Sequence, residues 1–237
     1  MTILVLGATG MTGRCVVTQL LSNGHKVRII VRSTDNISTD ILNSSEIEII
    51  RAAVLDLSDQ QIATQVAGCT SIVSCLGHNM DFRGLFGHPR QLCTQTVRRM
   101  CAVLQRNAVQ PVKFIMISSV GVTSPEDNNQ RSWFDRALLL LLRHTLPPHR
   151  DNETAAQFLS DNISASNSKI QWCCVRPDSL INAEISPVEV THNPLTAITS
   201  GRPTTRGNVA KFMVELIENR EKWDKWQFKM PVIMNAN

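Results

Sequence analysis

The chain alternates short apolar runs with longer segments in which apolar residues recur every three or four positions. Continuous apolar runs are typical of strands buried on both faces of a parallel sheet, and the spaced pattern is typical of amphipathic helices packed on it. The first run occupies residues 3–6. The helical pattern after it ends at Asn23 and Gly24, and its apolar face carries Cys15, Val16, Val17, Leu20 and Leu21.

The same alternation continues to the end of the chain. Further strands are predicted at residues 25–31, 47–50, 71–75, 113–117, 170–175 and 228–233. Helices are predicted at residues 59–66, with Ser58 as the cap, and at about 89–107, 153–164 and 208–219. This order predicts an α/β fold with a doubly wound parallel sheet. Ligands bind at the carboxyl ends of such strands, so one edge should gather Gly7, Arg32, Asp56, Cys75, Ser119 and Pro177.

The connection between the first strand and the first helix is rich in glycine. It reads Gly7-Ala8-Thr9-Gly10-Met11-Thr12-Gly13. Glycines permit a tight turn and let the backbone approach a pyrophosphate, which then meets the unpaired amides and the positive dipole end of the helix. The turn therefore predicts a dinucleotide site, and an ordinary strand-to-helix turn is the alternative.

The end of the second strand indicates which dinucleotide is preferred. An NAD-binding unit normally places Asp or Glu there, because a carboxylate accepts hydrogen bonds from the adenine ribose. This chain has Arg32 and Ser33 instead. A guanidinium offers forked donors to a phosphate and no acceptor to a ribose, so the position favours NADP over NAD. Arg14, just after the third glycine, could add a second positive charge.

Length and composition fit one compact domain over residues 1–237, with 43% hydrophobic residues and no long low-complexity tract. Together with the glycine turn, this predicts a single NAD(P)-binding Rossmann domain. The opening apolar run is too short for a signal peptide, and residues 138–142 are far too few to span a membrane, so we expect a cytoplasmic protein without a membrane partner. The seven cysteines form no CxxC pair and have no histidine at metal-ligand spacing. They are expected to be reduced core residues, and no metal site is predicted.

The formal net charge of +4 does not indicate a nucleic-acid partner, because lysines and arginines are spread among acidic residues. Arg98 and Arg99 are expected on the solvated side of the helix at residues 89–107. An anionic cofactor would account for part of the basic excess.

Taken together, these motifs resemble the atypical short-chain dehydrogenase/reductase superfamily, specifically its NmrA-like and flavin-reductase-like NAD(P)-binding members. The resemblance covers nearly the whole chain, and its carriers are the glycine turn with Arg14, Val31-Arg32-Ser33, Asp56-Leu57, Ser74-Cys75-Leu76-Gly77, Ser118-Ser119-Val120-Gly121 and Val175-Arg176-Pro177. It implies that Asp56 and Leu57 contact adenine, that residues 75–77 line the adenosine and the nicotinamide ribose, and that Ser118 and Pro177 flank the nicotinamide. The predicted cofactor-binding residues are Gly7, Thr9, Gly10, Met11, Thr12, Gly13, Arg14, Arg32, Ser33, Asp56, Leu57, Cys75, Leu76, Gly77, Ser118 and Pro177.

The chain departs from this superfamily where the proton chemistry is usually done. Members with the usual apparatus carry a Tyr-x-x-x-Lys pair on the helix after strand five, and this chain contains no tyrosine. Residues 149–157 supply neither member of the pair. The resemblance to flavin-reductase-like proteins implies hydride transfer without that tyrosine, with solvent providing the proton.

Three side chains are candidates for the missing chemistry. Ser119 occupies the expected catalytic serine position and could orient the acceptor, or it is a hydrogen-bonded strand-end serine. His149 could act as an acid because imidazole titrates near neutrality, although its position in a Pro147-Pro148 loop is typical of a solvent-facing residue. His78, just beyond the fourth strand, is a further candidate.

Two functional classes follow, and both require NADP(H). The first is a reductase that transfers hydride to a small acceptor, planar or carbonyl-bearing. The second is an NmrA-like redox sensor that acts through protein partners. A third class, a platform without turnover, would require that no dinucleotide bind.

Substrate recognition is expected in segments near residues 79–89, 123–148 and 182–206. The first could form a lid, with Phe82, Arg83, Leu85 and Phe86. The second carries a helically spaced stripe, favoured as core or dimer contact over substrate wall, at Trp133, Phe134, Leu138, Leu141 and Leu142. A monomer and a homodimer both remain open.

Overall fold

The computed structural model describes residues 1–78, 87–124, 127, 133–134, 137, 139–141, 146–166, 169–192 and 202–236. In chain order the strands are β1 (Thr2–Leu6), β2 (Lys26–Val31), β3 (Ile47–Arg51), β4 (Cys69–Ser74), β5 (Val112–Ile117), β6 (Ile170–Pro177), β7 (Leu180–Ile181), β8 (Val188–Thr191), β9 (Thr204–Thr205) and β10 (Val232–Asn235). The helices are α1 (Met11–Ser22), α2 (Thr39–Leu42), α3 (Asp59–Val66), α4 (Leu92–Asn107), α5 (Pro147–Asn162), α6 (Arg206–Glu218) and α7 (Arg220–Trp226).

Eight strands form the central sheet in the order β3-β2-β1-β4-β5-β6-β10-β8. All neighbours pair in parallel except β8, which runs antiparallel to β10. The strand order reverses direction between β1 and β4, and in open sheets of this type such a reversal opens a crevice at the carboxyl ends. The predicted doubly wound α/β fold is therefore confirmed, with β7 and β9 forming a separate two-stranded sheet.

Alternate side chains of each central strand enter different cores on the two faces of the sheet. Leu4 and Leu6 of β1 pack with residues of α3, α4 and α5. Ile3 and Val5 pack on the other face with residues of α1, α6 and α7. The same alternation separates two adjacent cysteines, because Cys174 belongs to the first core and Cys173 to the second.

Several predicted boundaries are wrong. Helix α5 begins at Pro147, six residues before the predicted start, because its two prolines occupy the first helical positions and do not form a loop. Proline is suited to that position, since its fixed φ is helical and its missing N–H would have no partner in the first turn. The closing strand begins at Val232, not at Phe228, whose φ of +60° interrupts an extended chain. Helix α7 was not predicted.

Part of the predicted substrate segments lies outside the described residues. This applies to the lid residues Phe82, Arg83, Leu85 and Phe86 and to Leu138 and Leu142. The described members of the stripe are largely exposed, at 80% for Trp133 and 57% for Leu141, so these residues do not lie in the core of the chain, and a dimer contact stays a prediction. The segment near 182–206 contains β8 and β9, which were not predicted. Of the helices in the described ranges, none is both long and apolar enough to cross a membrane.

Candidate cofactor site

A cleft of about 680 Å³ opens at the carboxyl edge of the sheet, at the crevice between β1 and β4. Its walls come from the glycine turn, the end of β2, the loop between β3 and α3, the end of β4 and the segment that leads into α4. The predicted residues that line it are Gly7, Thr9, Gly10, Arg32, Asp56, Cys75, Leu76 and Gly77. These residues come from four separate chain segments, and the parallel register brings them together.

The glycine turn requires glycine for reasons visible in its geometry. Gly7 has φ of +74°, and a Cβ there would lie 2.5 Å from the carbonyl oxygen of Cys75. A Cβ on Gly13 would lie 2.1 Å from the carbonyl oxygen of Gly7, so the first turn of α1 could not approach the strand. Gly10 is the N-cap of α1 and offers no side-chain cap. The first amides of α1 therefore have no capping side chain, as an anion site requires.

The basic residues near β2 occupy two different surfaces. Arg32 is exposed at the rim of the cleft and makes no hydrogen bond or ion pair with the described residues. Arg14 donates from Nη1 to the carbonyl oxygen of Asn36 at 3.3 Å, which places its charge beside the loop after β2. Together with Met11, Arg14 lines a neighbouring groove of about 570 Å³ on the α6 side of α1. Ser33 is also exposed, and its hydroxyl accepts a hydrogen bond from the amide of Asp35.

Other predicted cofactor residues lie behind the cleft wall. Thr12 and Gly13 are buried in the first turn of α1. Leu57 is 8% exposed, and its side chain packs in the core. Ser118 and Pro177 are buried at the ends of β5 and β6. Their contact with a cofactor stays a prediction.

Two of the three candidate catalytic side chains, Ser119 and His149, both lie beside Gly121. A Cβ on Gly121 would lie 2.8 Å from Cε1 of His149 and 3.4 Å from Oγ of Ser119. His149 was expected in a solvent-facing loop, and that expectation is wrong. It lies half-buried in the first turn of α5, because Pro147 starts the helix two residues earlier. The pair could orient an acceptor at the end of β5.

A buried carboxylate, Asp151, lies one half-turn further along α5 and caps the start of α4. Its Oδ1 accepts from the amide of Thr94 at 2.9 Å, and its Oδ2 accepts from the amide of Cys93 at 2.8 Å and lies 2.9 Å from Nε2 of His78. Burial alone would raise the pKa of Asp151, but these hydrogen bonds outweigh burial and hold the pKa below its usual value. The candidate His78 is thereby fixed against α5.

His78, Cys93 and Asp151 carry metal-ligand atoms within 4.8 Å of one another. The carboxylate oxygens are already engaged by the helix amides and the imidazole. Burial and the Asp151 carboxylate raise the pKa of the Cys93 thiol well above its usual value, so the thiol stays protonated. The cluster is explained as a helix cap, and the expected absence of a metal stays a prediction.

Burial also removes Cys75 as a nucleophile. It raises the pKa of the Cys75 thiol to about 12, and neighbouring Cys15 contributes to the rise. Every cysteine of the described residues is a free thiol. Cys75 therefore contributes shape to the cleft and no anionic sulfur.

Sequence reasoning missed a second polar cluster, behind the Ser119 region. Arg176 of β6 is fully buried and forms a bidentate ion pair with Asp127, with both N–O distances 2.8 Å. The same guanidinium donates to the carbonyl oxygens of Val122, Met230 and His192. Arg176 lies in the Val175-Arg176-Pro177 motif, but three of its partners are 49 residues or more away in the sequence. These are Asp127, Val122 and Met230. It joins the loop after β5 to the residue that follows β8 and to the segment that leads into β10.

A family model described as NAD(P)H-binding matches residues 7–220. A short-chain dehydrogenase/reductase of Veillonella parvula, solved in complex with NADP, is 14% identical with a TM-score of 0.72 over 100% of this chain and 95% of that chain. A Streptococcus pneumoniae protein described as a candidate NADH-flavin reductase is 15% identical with a TM-score of 0.69, covering both chains fully. A candidate NAD-dependent epimerase/dehydratase from Bacillus halodurans is 21% identical with a TM-score of 0.70, covering 100% and 95%. At these identities the likeness establishes the fold. No curated protein sequence matches the chain.

Proposed function

This chain belongs to the NAD(P)H-binding family, and from that premise we propose that it is an NADP(H)-dependent oxidoreductase. Its substrate would be a small acceptor, planar or carbonyl-bearing. When bound, the nicotinamide of the coenzyme would supply a hydride. The chain would provide binding, orientation and exclusion of water.

The preference for NADP(H) rests on one observation, the pairing of the open glycine turn with Arg32 in the same cleft. The amides at the start of α1 would bind the pyrophosphate, and the guanidinium of Arg32 would bind the 2′-phosphate. No carboxylate stands at the end of β2 to accept from a ribose, because Arg32 is followed by Ser33 and Thr34. On the far wall, Asp56 and residues 75–77 would face the adenosine and the riboses.

The proton chemistry would use the side chains at the end of β5. The hydroxyl of Ser119 and the imidazole of His149 both border Gly121, and the chain has no tyrosine that could take part instead. Ser119 would orient the acceptor oxygen, and His149 would supply a proton to it. Solvent remains the alternative proton source.

The coenzyme assignment is tested by titrating NADPH and NADH into the wild type and the Arg32→Asp variant. We expect Arg32→Asp to weaken NADPH binding about tenfold or more through the lost charge-assisted hydrogen bonds, while NADH binding is retained. Arg51→Asp is the matched control, since Arg51 is exposed at the adjacent end of β3 and does not line the cleft. An equal loss for both coenzymes would show that Arg32 has another role.

The second candidate is a sensor that binds NADP(H) without turnover, and the absence of tyrosine favours it. Quinones, flavins and aldehydes offered with NADPH separate the two functions, with loss of nicotinamide absorbance as the measurement. Oxidation by one class of acceptor supports the reductase and identifies its substrate class. Binding of NADPH without oxidation by any of them supports the sensor.

A further inference from the structure

Arg99 of α4 contacts the loop that carries Asp56 into the cleft. Its Nη1 donates to the carbonyl oxygen of Leu55 at 2.9 Å, and its Nη2 donates to the carbonyl oxygen of Leu57. These two carbonyls belong to the residues on either side of Asp56. Leu55 and Asp56 both line the cleft. The guanidinium therefore holds the backbone on both sides of the residue expected to meet adenine.

The same guanidinium also ties this loop to the start of α3. Its Nη2 lies 3.0 Å from Oδ1 of Asp59, and Asp59 is in the first turn of α3. A planar group with five donors can reach two carbonyls and a carboxylate at once, which a lysine ammonium cannot do in one fixed geometry. Among the described residues, Arg99 is the only side chain that donates to either carbonyl.

The burial of Arg99 differs from what the sequence suggests. The adjacent Arg98 is exposed and lies over the Phe158 ring, as expected for the solvated side of a helix. The Arg99 side chain is 29% exposed and turns toward the loop, so the same expectation is wrong for Arg99. The side chains of Val54 and Leu57 are held by the core. The backbone between them is held by Arg99, through the carbonyl oxygens of Leu55 and Leu57.

We propose that Arg99 is a positioning residue for the adenosine half of the coenzyme. It holds the turn at residues 55–57 so that Asp56 and the neighbouring backbone face the cleft. The proposal rests on the proposed function, because it assumes that the adenosine lies against this wall. It concerns affinity for one half of the dinucleotide and not the chemistry at the nicotinamide.

The test compares Arg99→Gln and Arg99→Lys with the control Arg106→Gln. Arg106 is on the same helix and approaches the same Asp59 at 3.8 Å, but it is 70% exposed and contacts neither carbonyl. Three ligands are titrated into each protein: NADPH, adenosine 2′,5′-bisphosphate and nicotinamide mononucleotide. Hydrogen exchange at the amides of residues 53–57 is measured in parallel without any ligand.

We expect Arg99→Gln to weaken NADPH and the adenosine fragment by about tenfold, the effect of one lost charge-assisted hydrogen bond in the wall. Binding of nicotinamide mononucleotide should be unchanged, and exchange at residues 53–57 should accelerate. Arg99→Lys should fall between Arg99→Gln and the wild type, and Arg106→Gln should match the wild type.

Two failures are distinguishable. If the wild type binds NADPH, and Arg99→Gln binds the adenosine fragment as tightly as the wild type does, the proposal for Arg99 is overturned and the proposed function stands. If Arg99→Gln binds the adenosine fragment and nicotinamide mononucleotide more weakly by the same factor, the proposal for Arg99 is also overturned, since that indicates a general loss of structure. If the wild type binds no NADPH, the proposed function is overturned. Unchanged exchange in the ligand-free variant overturns the positioning role on its own.

Discussion

Replacement of Asp151 by asparagine tests whether one carboxylate joins α5, α4 and the end of β4. The side chain of Asp151 is 1% exposed, and its two oxygens meet two helix amides and the imidazole of His78. An asparagine keeps the shape of the side chain and one acceptor oxygen, but its NH2 group replaces the other oxygen and cannot accept a hydrogen bond. With the amide oxygen toward the Cys93 amide and His78, the NH2 group faces the amide of Thr94, so one buried donor loses its acceptor. This predicts a loss of about 2 kcal/mol in the free energy of unfolding at pH 7.

The loss should also depend on pH. The hydrogen bonds to Asp151 lower its pKa in the folded state. A carboxyl with a lowered folded pKa stabilises the fold fully above its unfolded pKa of about 4, and this stabilisation disappears as the pH falls through the folded pKa. The difference between wild type and Asp151→Asn should therefore be constant near neutrality and shrink below about pH 4.

Urea unfolding followed by tryptophan fluorescence between pH 7 and pH 3.5 measures both quantities, since the chain has 4 tryptophans. Asp161→Asn is the control, because Asp161 is exposed on the same helix and its substitution should change stability by less than about 0.5 kcal/mol. A difference for Asp151→Asn below about 1 kcal/mol at pH 7 would refute the capping role. So would a difference that stays constant down to pH 3.5.

Three further substitutions probe the scaffold around the site. Arg176→Met removes the bidentate partner of the buried Asp127 and should cost about 3–5 kcal/mol of unfolding free energy in urea titrations; a stability equal to wild type would contradict this. Lys113→Met removes the donor to the last carbonyls of α6, at 2.8 and 3.0 Å, and should cost about 1–2 kcal/mol by the same assay. An unchanged midpoint would count against that cap. Gly13→Ala should lower the melting temperature measurably, since its Cβ would lie 2.1 Å from a backbone oxygen, whereas Gly77→Ala meets no atom within 4 Å; equal melting temperatures would refute the close approach.

The sequence determined the layers of the fold because burial leaves a local periodic record. Apolar runs marked β1 to β6, and the capping signal at Ser58 located the start of α3 correctly. The glycine turn could also be recognised from local sequence, since the clash that forbids a Cβ on Gly13 arises within the same turn. Local signals failed where they have two meanings. Pro147 and Pro148 fit a loop and a helix start equally well, and only the fold shows that they open α5.

The tertiary structure alone decided how polar groups that are far apart in the sequence pair. Arg99 and the carbonyls beside Asp56 are 42 and 44 positions apart, and Asp151 is 57 and 58 positions from the amides that it caps. Burial needs only apolar surroundings, so it leaves a periodic pattern in the sequence. A hydrogen bond needs two particular atoms at a fixed distance and angle, and no periodicity relates such residues. The sequence could therefore predict which segments surround the cleft. It could not predict which side chains hold those segments in place.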